Sequence, residues 1–512
     1  MELTHTIAEF GFLSPNRPPP DAFKNFTLHK KFDTTGKFWR PSQVNEKISG
    51  QIIFIPGGGA RLFLNGSYEG GPKRKISYAI LNGRLAKGTP CTLIDVWGHV
   101  NAYGLNPSHY ITDLHCKLLI VGGNFAKEDD FTIDFLDVQF SHVERWFNKP
   151  YDILITRDSS EHLLCFQPDE ASVNILWQGK QCKIDVFCSR TVPFGAGLNE
   201  TKFEYAYRFH ISSEDKHHIS WFFEVVSILR ECFIYLIGTG VYTLEIVASE
   251  ESLEKSDSSS IRKKYMIFYG VDIPSYIRTD GKLYCTHYYN FKEYYPGFLE
   301  KWFDNRSKLS VVINTYKEIL LNDGAHEENI FLRIVQTLEH LHGIAFNKKN
   351  KYCSKSEWKA FVRWFQKNTP IPDKTNIDEN IELEKLNLLR EVTLNRITSL
   401  NSLTLRSRLE NLFDGVQGGC LWPAIDNPSS PRQRIKEIIK EIEDTRNYLT
   451  HYRRNLQKKR SKDRELERNT ALLWGLLTYW IGKIHNLPEK TLSDITFQST
   501  RAMFLIGKRM KL

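Results

Sequence analysis

The hexapeptide Arg446-Asn447-Tyr448-Leu449-Thr450-His451 puts an arginine, an amide and a histidine within about one and a half helical turns. An imidazole that titrates near neutrality can take the proton from a ribose 2′-hydroxyl or give one to a leaving 5′-oxygen. A guanidinium can hold a phosphate with two donors and oppose the charge that builds on it during cleavage. That is chemistry for cutting RNA without a metal, with Arg446 as phosphate clamp, His451 as general acid or base and Asn447 as the orienting group. The same residues also suit an arginine salt-bridged in a bundle beside a surface histidine, and taken alone they leave both readings open.

The element that must position them is a long amphipathic helix. Ile435, Ile438, Ile439, Ile442 and Leu449 recur at spacings of three, four and seven, the apolar stripe of a helix packed on one side. Extending the stripe by four from Ile442 lands on Arg446. A charge facing a packed core requires a carboxylate, a phosphate or a subunit boundary. His451 shares a face with Asn447, one turn away, while Arg446 lies on a neighbouring face, so one helix does not gather all three groups. Two copies across a two-fold axis could. The spacing alone is unspecific, since Arg157 with His162 and Arg333 with His340 also fit it. What sets the third match apart is the Asn after the Arg, the long helix and the basic stretch behind it.

That stretch carries Arg453, Arg454, Lys458, Lys459, Arg460, Lys462 and Arg464, opposed before residue 465 only by Asp463. It reads either as a solvated extension between two bundle helices or as a positive rim that holds RNA through its phosphates. On the second reading Tyr452, Arg453, Arg454, Lys458 and Lys459 are the RNA contacts.

The chain has 512 residues, which implies two to four domains, and its 41% hydrophobic and 13% aromatic content is that of a folded globular protein. A formal charge of +9 permits a polyanionic partner without demanding one. No secretory leader is indicated at Met1-Glu2-Leu3. The apolar stretch Ala471–Ile484 is too short for a membrane span and reads as a buried bundle helix. Nine scattered cysteines with no C-x-x-C argue against a disulfide scaffold or zinc ribbon and for a reducing cytoplasm. No cofactor is expected: Gly57-Gly58-Gly59 lacks a following Gly-Lys-Ser/Thr and reads as a hairpin turn.

The fold expected is α+β, a β-rich, sandwich- or barrel-like N-terminal half followed by an all-α bundle. Residues 1 to about 30 hold four prolines and form an irregular lead-in. Short aromatic and β-branched runs, among them Ile48–Ile55, Arg61–Leu64, Ile76–Leu81, Thr92–Val96 and Phe131–Val138, make 1–150 a first β-rich domain. A second β-rich part, 151–299, has one long helix from about Ser213 to Ile237, with His217-His218 near its start read as solvated polar residues. A Ser- and acid-rich loop covers Glu250–Ser260, and the tyrosine-dense run Tyr284–Tyr295 reads as a packing seam or as an RNA-stacking surface. From 300 to 512 the hydrophobic period becomes helical. Helices are expected at Val311–Leu321, Glu327–Ala345, Ser356–Gln366, Asp378–Glu391, Leu403–Leu412, from Ser430 to His451 and onward, and Asp463–Asn486, with a short one near Asp494–Leu505, and prolines fall between them.

Arg446-Asn447-Tyr448-Leu449-Thr450-His451 resembles the Arg-Asn-x-x-x-His motif of HEPN domains, and the chain as a whole resembles the ApeA-like HEPN ribonucleases of bacterial anti-phage defence. Three further regions carry the likeness: Gly36-Lys37-Phe38-Trp39-Arg40-Pro41 with Gly50 and Gly66; Phe331-Leu332 through Gln336-Thr337-Leu338-Glu339-His340-Leu341-His342; and Thr404-Leu405-Arg406-Ser407-Arg408-Leu409. The resemblance implies a homodimer formed through the C-terminal helical domain, a metal-free ribonuclease site acting on cellular RNA such as tRNA, and a toxic activity released by a phage-derived trigger to abort infection. The β-rich half would be the sensor or restraint. The alternative is a non-catalytic module that binds RNA or only dimerises. A serine- or cysteine-based hydrolase has no support, since no nucleophile-elbow pattern occurs.

Overall fold

The computed structural model describes residues 27–509 apart from 70, 103–109, 148–151, 156–161, 166–170, 192–203, 252–261, 271–284, 322–324, 347–350, 369–381, 398–399, 417–420, 422–430 and 453. Arg157, Arg453, and most of the lead-in and of the Ser- and acid-rich loop lie outside these residues. The chain divides into two compact units, 1–233 with 241–282, and 234–240 with 283–512.

In the first unit twelve antiparallel strands share one sheet: β1 (Phe32–Trp39), β2 (Ile48–Ile55), β3 (Gly59–Leu64), β4 (Lys73–Leu85), β5 (Pro90–Ala102), β6 (Tyr110–Val121), β7 (Thr132–Phe140), β10 (Ala171–Trp177), β11 (Lys180–Thr191), β12 (Glu204–His218), β13 (Thr243–Glu251) and β14 (Arg262–Tyr269). Between β7 and β10 lie the helix α1 (Val143–Phe147) and a separate two-stranded ladder, β8 (Asp152–Ile155) with β9 (His162–Cys165). The sheet order is β10-β11-β12-β7-β13-β14-β6-β3-β2-β1-β4-β5, and a further pairing of β5 with β6 closes six strands into a barrel. The remaining six continue from the barrel wall as an open sheet. This is the barrel-like, β-rich half that the strand spacing implies.

Alternation decides which side faces inward. Ile52 and Phe54 on β2 are paired with Leu62 and Ala60 on β3, and all four are buried, with Phe32 stacked on Phe54. The opposite parity of β1 to β3, with Lys37, Ser49 and Arg61, is the more exposed one, and Arg84 of β4 is exposed beside Lys37. Gly57 and Gly59 take positive φ in the turn from β2 to β3, so the triple glycine is a hairpin turn.

One expectation fails here. Residues 213–218 are not the start of a helix but the end of β12, and α2 runs Ile219–Ile237. A register shift between Ser212 and His217 interrupts the pairing of β12 with β7. His217 is not a solvated residue: it is buried, Lys180 Nζ lies 3.0 Å from its Nδ1, Ser213 Oγ lies 3.0 Å from its Nε2, and Trp221 packs on its ring.

The second unit is helical: α3 (Tyr288–Phe291), α4 (Tyr295–Asn305), α5 (Ser310–Leu321), α6 (Glu327–Ala345), α7 (Lys355–Asn368), α8 (Leu383–Ile397), α9 (Leu405–Asp414), α10 (Pro431–His451), α11 (Arg464–Ile484) and α12 (Glu489–Arg509). Its centre is α11, buried almost continuously from Leu466 to Gly482, and α6, α9 and α12 pack against it. A helix apolar all round belongs in the middle of a bundle. Among the described residues no helix is long and apolar enough to cross a membrane. The final helix is longer than its sequence signal, 21 residues. The tyrosine-dense run is partly helical, with Tyr288 and Tyr295 buried and Tyr289 and Tyr294 exposed.

Candidate functional site

Ile438, Ile439 and Ile442 of α10 are fully buried, while Ile435 and Leu449 at the ends of the stripe are half-buried. Arg446 continues that stripe and lies beside a carboxylate, one of the partners its position allows. Its guanidinium lies 3.8 Å from Glu339 Oε2 on α6 and donates to Asn447 Oδ1 at 3.2 Å. The first distance is beyond hydrogen-bonding range, so Glu339 holds the guanidinium by charge and leaves most of its donors available. Asn447, with Oδ1 accepting from Arg446, keeps its amide N–H groups for another acceptor. His451, the last residue of α10, is exposed, and among the described residues no hydrogen bond engages its ring. Arg446 and Asn447 are thus brought together, and His451 stands one turn further at the helix end.

The second Arg–His match is different in kind. Arg333 is ion-paired to Glu318 of α5, so its charge is already met.

Behind Arg446 the bundle is clamped by polar contacts that the sequence reading missed. Thr445 Oγ1 donates to Glu441 O at 2.7 Å and accepts from the Ser461 N–H at 2.8 Å. Asn469 Nδ2 on α11 donates to Ser461 Oγ at 2.9 Å and to Glu441 Oε2 at 3.2 Å, and Arg468 donates to the same carboxylate oxygen at 2.9 Å. Thr445, Ser461 and Asn469 are all buried. Buried polar groups persist where partners satisfy them, and here they fix where the chain returns from α10 to α11. Glu339 is held as well: Arg408 of α9 donates to its carbonyl at 3.4 Å and to Leu403 O at 3.1 Å. Thr404 caps α9 by accepting from the Ser407 N–H, and Arg406 pairs with Glu443 of α10 at 2.6 Å. Glu339, Thr404, Arg406 and Arg408 lie in the family-like segments, whereas nothing in the sequence singled out Thr445, Ser461 or Asn469.

The basic stretch is a turn rather than a helix extension. Tyr452 leaves α10 with φ of 48°, its N–H bonded to Tyr448 O at 2.6 Å, and is 75% exposed. A positive φ at a helix end is usual for glycine and uncommon for tyrosine. Arg454 lies in a short 3-10 turn and is exposed, as are Lys458 and Lys459; among the described residues none of the three is in an ion pair. Arg460, by contrast, is engaged: it pairs with Glu328 of α6 at 2.9 Å and lies 4.5 Å over the Tyr448 ring. Among the described residues Arg454, Lys458 and Lys459, like Lys462 and Arg464, are therefore exposed cations of this stretch outside any ion pair.

A helical bundle with an Arg-Asn-x-x-x-His segment ending one long helix defines the class: a HEPN domain. Residues 332–489 match the family model Apea-like HEPN, and residues 33–266 match ApeA N-terminal domain 1. The chain belongs to the ApeA-like HEPN family. The matched segments contain Glu339, Arg408 and the whole motif on one side, and the barrel on the other. No curated protein and no solved structure matches the chain. Membership suggests a HEPN nuclease that works in defence.

Proposed function

We propose that the protein is a metal-independent endoribonuclease that cuts cellular RNA, with tRNA as the expected substrate. The ribose 2′-oxygen attacks the adjacent phosphorus as its proton leaves, the bond from phosphorus to the 5′-oxygen breaks, and the departing 5′-oxygen takes a proton. The products are a 2′,3′-cyclic phosphate and a free 5′-hydroxyl. His451 is the general acid or base, Arg446 the phosphate clamp and Asn447 the orienting amide. Tyr452, Arg453, Arg454, Lys458 and Lys459 hold the substrate strand, the cations through its phosphates.

The observation that carries this reading is the state of Arg446. It sits in a core stripe, bonded to Asn447 and only loosely matched at 3.8 Å by Glu339, about one and a half turns before an exposed histidine. A guanidinium placed for structure alone would close on its carboxylate with two short bonds.

The working enzyme is a homodimer joined through the helical part, 300–512, so that two motif sets share a cleft. The segments 1–150 and 151–299 act as sensor and restraint, and infection by phage releases a toxic activity in the cytoplasm. The test is to incubate the full-length protein with total RNA beside Arg446→Ala and His451→Ala. Cleavage by the wild type that is lost in both variants supports the assignment. RNA that is bound and left intact by all three would instead indicate a binding or dimerisation module.

A further inference from the structure

The outward face of the barrel carries an open cleft of about 830 Å³, within the size range of small-molecule sites. Its charged side chains are Lys37, Lys47 and Arg84, and no carboxylate lines it. Lys37 on β1 is the direct cross-strand neighbour of Arg84 on β4, with Ser49 on β2 as its other neighbour. Directly opposed like charges on one face of a sheet repel each other. Among the described residues neither Lys37 nor Arg84 has an ion-pair partner. Asp33, on the same face of β1, is four residues away, about 13 Å along a strand, and Glu46 is paired with Arg40.

The cleft also has aromatic walls. Trp39 and Phe63 line it, and Lys47 Nζ lies 5.2 Å over the Trp39 ring. Its floor depends on two glycines that are partners across β1 and β2, Gly36 and Gly50. A Cβ on Gly36 would come within 2.7 Å of Arg84 O, and one on Gly50 within 2.5 Å of Phe63 O. Neighbouring backbone could not yield there, so a side chain at either position would deform the wall that presents Lys37 and Arg84.

We infer that this cleft is a binding site for a phosphorylated nucleoside, its phosphates neutralising Lys37 and Arg84 and its base lying against Trp39 and Phe63. An anionic ligand answers a cation pair that the fold leaves opposed, and a planar one answers the aromatic walls. Free nucleotides and the 5′-phosphate end of a nucleic acid share this chemistry. The inference stands apart from the ribonuclease reading, since every residue in it belongs to the barrel.

The test is calorimetric titration of the full-length protein with ADP, adenosine, pyrophosphate and a deoxy-tetranucleotide with or without a 5′-phosphate. ADP is expected to bind, with adenosine and pyrophosphate each at least about tenfold weaker, and Lys37→Gln or Arg84→Gln to weaken ADP by about ten- to a hundredfold. Lys37→Arg, which keeps the charge, is expected to retain most of the affinity, and Arg84→Gln to leave thermal stability undiminished because a repulsion is removed. Competition by the 5′-phosphorylated tetranucleotide would name a chain end as the source, and its absence a free nucleotide. ADP that fails to bind at millimolar concentration, binds the Lys37→Gln/Arg84→Gln double variant as well as the wild type, or binds no better than pyrophosphate overturns the inference.

Discussion

Replacing Thr445 by valine keeps the shape and branching of the side chain and removes one oxygen. That oxygen accepts the Ser461 N–H at 2.8 Å, and Thr445 and Ser461 are only 1% and 3% exposed. The valine variant therefore leaves a buried backbone donor without an acceptor, at a cost of about 2 kcal/mol. Helix propensity hardly changes, since both residues are β-branched. Ser461→Ala is milder: the backbone bond to Thr445 survives, and Asn469 Nδ2 keeps its bond to Glu441 at 3.2 Å. It should cost about 1 kcal/mol. Hydrogen exchange on peptides spanning Ser461 is the assay. A cost of about 2 kcal/mol paid in local opening means exchange faster by about thirtyfold in Thr445→Val, against about fivefold in Ser461→Ala. Because this bond closes the turn that carries Arg454, Lys458 and Lys459, RNA binding should weaken in the same order. Exchange in Thr445→Val within threefold of the wild type, or a larger effect from Ser461→Ala, would refute the claim that this bond anchors the turn.

Three further outcomes are expected. Removing Arg454, Lys458 and Lys459 together should lower the salt dependence of RNA binding by about two units of log–log slope, read by filter binding at graded salt, since each phosphate contact to a single strand contributes about 0.7. Glu339→Gln should tighten RNA binding by up to about fivefold, because the carboxylate competes with phosphate for Arg446 and a partly exposed, 3.8 Å pair is worth at most about 1 kcal/mol; weaker binding would mean that Glu339 is needed to aim the guanidinium. His485 is buried, stacked on Trp302, and burial lowers its pKa to about 4 from 6.5. The unfolded chain then binds a proton that the folded one refuses, so stability is lost as pH falls from about 6.5 to about 4, by about 3 kcal/mol in all. His485→Phe should flatten that part of the unfolding-versus-pH curve, and an unchanged slope would place the titration elsewhere.

Much of the helical unit was legible because its signals are local. The bounds of α6 are those the period gives, and α10 starts within one residue of its expected position, at Pro431, but stops at His451, where the expected helix ran onward, because Tyr452 turns out of it with positive φ. The need of Arg446 for a carboxylate, a phosphate or a subunit boundary was also legible, but not that Glu339 lies beside it, because that residue is more than a hundred positions earlier. His217 was misread for a physical reason: Ser212-Ser213-Glu214-Asp215-Lys216 is polar and acidic like a helix start, whereas it lies in a strand whose register shifts. The closure of the barrel by β5 and β6, and the meeting of Lys37 with Arg84, rest on pairings between distant segments, which no local pattern encodes.

The central claim, RNA cleavage by 2′-hydroxyl attack at Arg446, Asn447 and His451, is tested most directly by the ends of the product. Labelled tRNA incubated with the full-length protein in excess EDTA should yield fragments ending in 2′,3′-cyclic phosphate with new 5′-hydroxyls, and none with His451→Ala. Fragments bearing 5′-phosphates, or cleavage that persists undiminished in His451→Ala, would contradict it.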